Sequence, residues 1–198
     1  MSNDINQSRR RMLTVATVGV GAIGSAAMVV PFGMSLMPSE RARAAGAPVE
    51  VDISLLEEGQ QLTVEWRGKP VWIVKRPKSV IEALPALDSK LADPNSKLDQ
   101  QPAYAQNANR SREENLEISV LVGICTHLGC SPKYRPELAP ADLGGDWQGG
   151  YFCACHGSRF DLAGRVYKGV PAPTNLVVPP YQYLTETLLL IGDDGEAA

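Results

Sequence analysis

Histidine and cysteine are scarce in this chain of 198 residues, which has two of the first and four of the second. All six fall between Cys125 and His156. Thiolate and imidazole chemistry is thereby excluded elsewhere, and such clustering means a disulfide framework, a metal site, or both. Net charge is also nearly absent, at −3. The sequence lacks a basic stripe with interleaved aromatics, which argues against nucleic-acid binding. It has no internal repeat, and its length suggests one domain plus extras.

Apolar residues are abundant but unevenly placed. Ser8-Arg9-Arg10-Arg11 precedes an uncharged run from Met12 to Met37 that is rich in Val, Ala, Gly and Met. A helix rises about 1.5 Å per residue, so roughly 20 residues cross a hydrocarbon core of ~30 Å. The run is long enough to span with some tilt. Pro31 and Gly33 lie near its far end, where a kink costs least. A cleaved signal peptide is the competing reading, with Ala42-Arg43-Ala44 as a candidate cleavage site, but its apolar core would be shorter, at ~7–15 residues. The arginines resemble a twin-arginine export signal in part, since Met12 and Thr14 stand where that signal often has Phe and Lys. A plain positive-inside flank leads to the same topology. Residues 1–11 then face the cytoplasm, 12–37 form the anchor, and the rest lies across the membrane.

Residues 38–48 hold Pro, Ala, Gly, Ser and Arg without apolar periodicity and read as a linker or hinge. From Val49 to the end the signals are mostly strand. Alternation covers 49–53 and 61–66, and Arg67-Gly68-Lys69-Pro70 turns the chain into a hairpin partner at 71–74. Residues 78–91 are the best helix candidate, interrupted by Pro85. Residues 93–114 are polar and loop-like. A buried strand at 118–124 runs straight into Cys125, and short strands follow at 150–152, 159–161, 176–178 and 187–191. Short strands with Gly/Pro turns predict a mostly β head, sandwich or barrel-like.

Two boxes carry the chemistry: Cys125-Thr126-His127-Leu128-Gly129-Cys130 and Cys153-Ala154-Cys155-His156-Gly157-Ser158. Two Cys and two His would suit structural zinc. Zinc-finger spacing, however, puts two Cys in one knuckle and two His in another, whereas each box here has both. A pure disulfide framework leaves both His unexplained.

The boxes closely resemble the Rieske family, in which Cys-x-His and Cys-x-x-His loops hold a [2Fe–2S] cluster and two imidazoles replace thiolates on one iron. The resemblance implies an antiparallel β-sandwich head, Cys125 and Cys153 on the inner iron, His127 and His156 on the outer, and a cluster-binding subdomain over about 124–175 of the 49–198 domain. Neutral imidazoles make the cluster less negative and raise its potential. An imidazole that can lose its remaining proton also couples electron uptake to proton uptake, which suits a hydroquinone donor. The family's high-potential branch joins the positions of Cys130 and Cys155 by a disulfide, which requires an oxidising compartment.

Around the ligands, Ser158 resembles the family serine that donates to a bridging sulfide. Many high-potential relatives have Tyr at the position of Phe160, donating to a cysteine sulfur, so the potential here should be somewhat lower than theirs. Gly164-Arg165 and Gly169-Val170-Pro171-Ala172-Pro173 resemble the proline loop that covers the cluster, one residue longer through Val170. Leu128 is read as an exposed apolar docking tip beside Gly129. Trp66, Trp72 and Trp147 read as core or sheet residues.

From anchor to proline loop the chain is similar to the iron–sulfur subunits of bacterial ubiquinol–cytochrome c oxidoreductases. That implies a translocating oxidoreductase of the inner membrane, with a periplasmic head that takes one electron from ubiquinol at a cytochrome b subunit. His127, His156 or both contact the quinol and accept its proton. The head then swings to a c-type cytochrome within a dimeric complex. The small subunit of an arsenite oxidase and the plastoquinol-oxidising analogue of photosynthetic membranes are the alternatives.

Overall fold

The computed structural model describes residues 6–195. It divides into two compact units, Met1–Ala44 and Ala45–Ala198. In the first, helix α1 runs from Gln7 to Ser35. Asn6 caps it by accepting a hydrogen bond from the Arg9 N–H at 3.1 Å. The Thr14 and Thr17 hydroxyls donate back to the Arg10 and Leu13 carbonyls, each at 2.9 Å. Two polar groups on the apolar run are thus satisfied within the helix, as a hydrocarbon environment demands. The mean hydropathy of its most apolar stretch is 1.9, and the helix is long and apolar enough to cross a membrane. A short helix α2, Glu40–Ala45, occupies part of the segment expected to be an irregular linker. Glu40 pairs with Arg43 one turn on, at 3.1 Å.

The head contains nine strands among the described residues: β1 (Val49–Asp52), β2 (Gln61–Trp66), β3 (Lys69–Lys75), β4 (Ile118–Val122), β5 (Lys133–Leu138), β6 (Gln148–Cys153), β7 (Ser158–Phe160), β8 (Tyr181–Tyr183) and β9 (Leu188–Ile191). They form three antiparallel sheets, ordered β1-β9-β8, β2-β3-β4 and β5-β6-β7. The β2–β3 hairpin pairs Gln61 with Val74 and Trp66 with Lys69. Arg67 and Gly68 turn it, both at positive φ, the pattern that suits the twist of a two-residue hairpin. β4 is buried on both faces, which explains why four of its five residues are apolar. One core joins the sheets, with Val71, Ile73, Val120, Leu121, Tyr151, Phe160, Leu176 and Ile191 fully or almost fully buried. Trp66, Trp72 and Trp147 are buried as well.

The structure departs from the sequence reading in places. The helix candidate at 78–91 is α-helical only over Lys78–Ala83 (α3) and tightens to 3₁₀ over Leu84–Lys90, because Pro85 supplies no N–H for an α-type bond. Residues 176–178 are extended but outside every sheet. Their backbone bonds go to single partners, with Val122 N–H donating to the Val177 carbonyl and Val178 N–H to that of Gln100. β5 and β8 have no counterpart among the expected strands. β5 is largely exposed, and its register with β6 shifts between Arg135 and Leu138, around Pro136.

Candidate metal centre

The first box follows β4. An added Cβ on Gly123 would sit 2.3 Å from the Trp72 ring, so only glycine lets the indole pack beneath the strand's exit. The loop then closes on itself. Cys125 N–H donates to the Cys130 carbonyl at 2.7 Å, and Gly129 N–H donates to the Cys125 carbonyl at 3.1 Å. The second box turns β6 into β7, and Gly157 N–H donates to the Cys153 carbonyl at 2.9 Å. Gly129 and Gly157 both have positive φ, at 83° and 78°. Each loop is therefore a glycine-closed turn back onto its own first cysteine. The equivalence of Gly157 to Gly129 escaped the sequence reading, although both lie four residues after that cysteine.

The loops present their donors in matched layers. Cys125 and Cys153 are free and buried, and both belong to the same core. The His127 and His156 rings meet edge to face with centroids 4.8 Å apart. His156 is exposed and His127 half-buried. Burial pushes the Cys125 thiol up, opposed by the His127 backbone N–H and the Ser158 hydroxyl, which hold it down. Two buried thiols under two imidazoles, one of each from either loop, match the donor set of a mixed-ligand iron–sulfur centre. Cys130 and Cys155 are joined by a disulfide, with Cα atoms 6.8 Å apart. The Cys153 sulfur lies within 4.8 Å of both bridge sulfurs, so the bridge abuts the buried thiols without supplying free ligands.

The remaining sequence-selected residues surround this pair of loops. Leu128 is 71% exposed at the tip, beside exposed Gly129. Ser158 and Phe160 are completely buried on β7, and Phe160 pairs across the sheet with Tyr151. In the proline loop Pro171 is exposed and Ala172 buried, and the Ala172 N–H donates to the Ser158 hydroxyl oxygen at 3.1 Å. Thr126 Oγ1 donates to the Thr174 carbonyl at 2.7 Å, strapping that loop to the first box.

The strand after the second box leads into a charged network of which the sequence reading singled out only Arg165. Asp161 and Arg165, both fully buried, pair at 2.8 Å. Arg76 donates to the Leu162 carbonyl, and Arg110 to those of Ala163 and Gly164. Burial lowers the pKa of Arg76 and pushes that of Arg110 down to about 10. Asn175 accepts from the Val166 N–H and donates to the Asp93 carbonyl, fixing the exit of the proline loop. Arg110 and Asp93 belong to the stretch read as a polar loop, and their polarity gave no sign that they are buried.

Known proteins share both the boxes and the N-terminal segment. A family described as "Rieske [2Fe-2S] domain" matches residues 95–182, and one described as "Ubiquitinol-cytochrome C reductase Fe-S subunit TAT signal" matches residues 1–39. The chain is 58% identical to the ubiquinol-cytochrome c reductase iron-sulfur subunit of Allochromatium vinosum, over 98% of this chain and 93% of the relative. It is 44% identical to the subunit of the same name from Blastochloris viridis, over 96% of each. With that of Bradyrhizobium diazoefficiens it shares 41% identity, over 93% of this chain and 94% of the relative.

Proposed function

Because this chain belongs to the family of ubiquinol–cytochrome c reductase iron–sulfur subunits, we propose that its head takes electrons singly from ubiquinol at a cytochrome b subunit and passes them to a c-type cytochrome. The observation that carries this reading is the layered donor set: two buried thiols beneath two imidazoles, from loops tied by the Cys130–Cys155 bridge.

Cys125 and Cys153 would hold the inner iron and His127 and His156 the outer. When bound, the [2Fe–2S] cluster supplies a one-electron acceptor whose potential is raised by imidazole ligation. The side chains do the rest. His156, the more exposed imidazole, hydrogen-bonds the quinol hydroxyl and takes up its proton. Leu128 offers an apolar contact beside it. The buried faces of Ser158, Phe160 and Ala172 keep water from the sulfurs.

The head lies on the periplasmic side of a bacterial inner membrane, in a dimeric complex. The match to an export signal over residues 1–39 and a disulfide that needs an oxidising compartment support that side. The run 12–37 anchors the chain, and 38–48 serves as the hinge on which the 49–198 domain travels, with 124–175 as its cluster-binding part. The test is purification of the intact chain from membranes. A Rieske-type electron paramagnetic resonance (EPR) signal together with a co-purifying b-type cytochrome is expected. A colourless, zinc-bearing chain, or one that comes out with a molybdenum protein, contradicts the proposal.

A further inference from the structure

The tip of the proline loop is Pro171-Ala172-Pro173, and proline has no N–H. Ala172 therefore carries the one backbone donor of that tripeptide. It points inward, 4% exposed, and gives its hydrogen to the Ser158 hydroxyl at 3.1 Å. Ser158 is fully buried, and its backbone sits opposite Cys153 in the β6–β7 register. With one lone pair engaged by the loop, the hydroxyl must turn its own proton elsewhere. Directly opposite residues of an antiparallel pair present their side chains on one face, so the Ser158 hydroxyl shares a face with the Cys153 sulfur. The loop is held in register by Thr126 Oγ1 on the Thr174 carbonyl and by the Leu176 N–H on the Gly164 carbonyl at 2.8 Å.

We propose that Ala172 is a positioning residue for electron transfer: its N–H aims the Ser158 hydroxyl at the sulfurs, so that seating of the loop sets part of the reduction potential. This rests on the ligand assignment given above. Successive hydrogen bonds polarise one another and strengthen the last by roughly 10–30%. A donor to sulfur favours the more negative, reduced centre. Loosening the loop thus weakens that preference without touching any ligand, and a partner pressing on the loop strengthens it.

The test uses the complete chain with its cluster, in detergent, and a redox titration followed by EPR. Lactate in place of Ala172, introduced by nonsense suppression, exchanges the N–H for an ester oxygen at constant shape. The equilibrium constant for reduction should fall about two- to threefold, which is about 18–28 mV at ~59 mV per decade. In a Ser158→Ala background the same exchange should shift nothing further, because the relay is already broken. Ala172→Gly keeps the N–H and should move the potential by less than the ester does. An unmoved potential in the ester protein, a shift that persists without Ser158, or a glycine variant as low as the ester each overturns the proposal. If the ester chain takes up no cluster, Ala172→Pro, which also lacks the N–H, takes its place in the same comparisons. Wild-type protein without a Rieske signal would instead remove the ligand assignment itself.

Discussion

Phe160→Tyr is a sensitive probe of the site because it adds one oxygen at a place with no exposure to water. Phe160 packs in the same core as Cys125 and Cys153 and sits on the strand that carries Ser158. The ring already fits, so the volume change alone should cost less than about 1.5 kcal/mol. The direction in which the new hydroxyl points decides the outcome. If it reaches a cysteine sulfur, it forms a bond to a charged acceptor, about 1.5–3 kcal/mol. Only the part that differs between oxidised and reduced states moves the potential. With one third to two thirds of the bond differential, the rise is roughly 20–90 mV at ~59 mV per tenfold change. If the hydroxyl does not reach, it is a buried orphan costing about 1–3 kcal/mol of stability with no gain in potential. EPR-monitored redox titration of the intact chain, run beside thermal unfolding, separates these outcomes. A potential that stays or falls while stability drops refutes the idea that position 160 faces a sulfur.

Three further outcomes are expected. Either His127→Ala or His156→Ala removes an imidazole that no other residue of the chain can replace, so the Rieske resonance should vanish from EPR spectra of the purified chain. Replacing Cys130 by Ser opens a bridge that spans 25 positions, which the chain-entropy relation values at about 3.5 kcal/mol; the cluster should bleach at lower denaturant concentration, and thiol titration should find Cys155 newly reactive. N-terminal sequencing of the mature protein should begin before Met12, as the anchor proposed for α1 requires; a start near Ala45 would show it to be a cleaved leader instead.

The parts of this molecule that could be read from sequence are those where one local feature decides the outcome. The β2–β3 hairpin arises from apolar alternation on either side of Arg67-Gly68. Pro85 stops α3 because a missing N–H ends an α-helix whatever surrounds it. The two boxes stand out because rare residue types recur at fixed spacing. What stayed hidden depends on tertiary context. β5 is the polar sequence Lys-Tyr-Arg-Pro-Glu-Leu and is a strand only because β6 lies beside it. Leu176-Val177-Val178 has the apolar character of a strand, yet its backbone partners are a strand end and two loops, so no ladder forms. Arg110 lies in the stretch read as a polar loop and Arg76 just past a strand, and both are fully buried. Their terminal guanidinium nitrogens donate mainly to carbonyls distant in sequence, a requirement invisible until the chain has folded.

Those buried arginines bear on why the centre can be exposed and still rigid. The proposed quinol contact needs an imidazole open to solvent, and Ala154, Cys155 and His156 are exposed at the turn of the second box. An exposed turn has few contacts of its own to hold it. Its order has to come from behind, through the strand on its C-terminal side. That strand leads into Asp161, whose carboxylate accepts from the Ala163 and Arg165 backbone N–H groups as well as from the Arg165 side chain. Arg76 and Arg110 seize the next three carbonyls from the opposite side. An ion pair of this kind adds little net stability, but removing one partner costs about 3–5 kcal/mol because a charge is left buried and alone. The network therefore acts more as a constraint than as a source of stability. It makes every displacement of 161–165 expensive and lets the turn beyond stay open. Asn175 and the Gly164 carbonyl extend the same constraint to the proline loop, so box and cover are registered against one base.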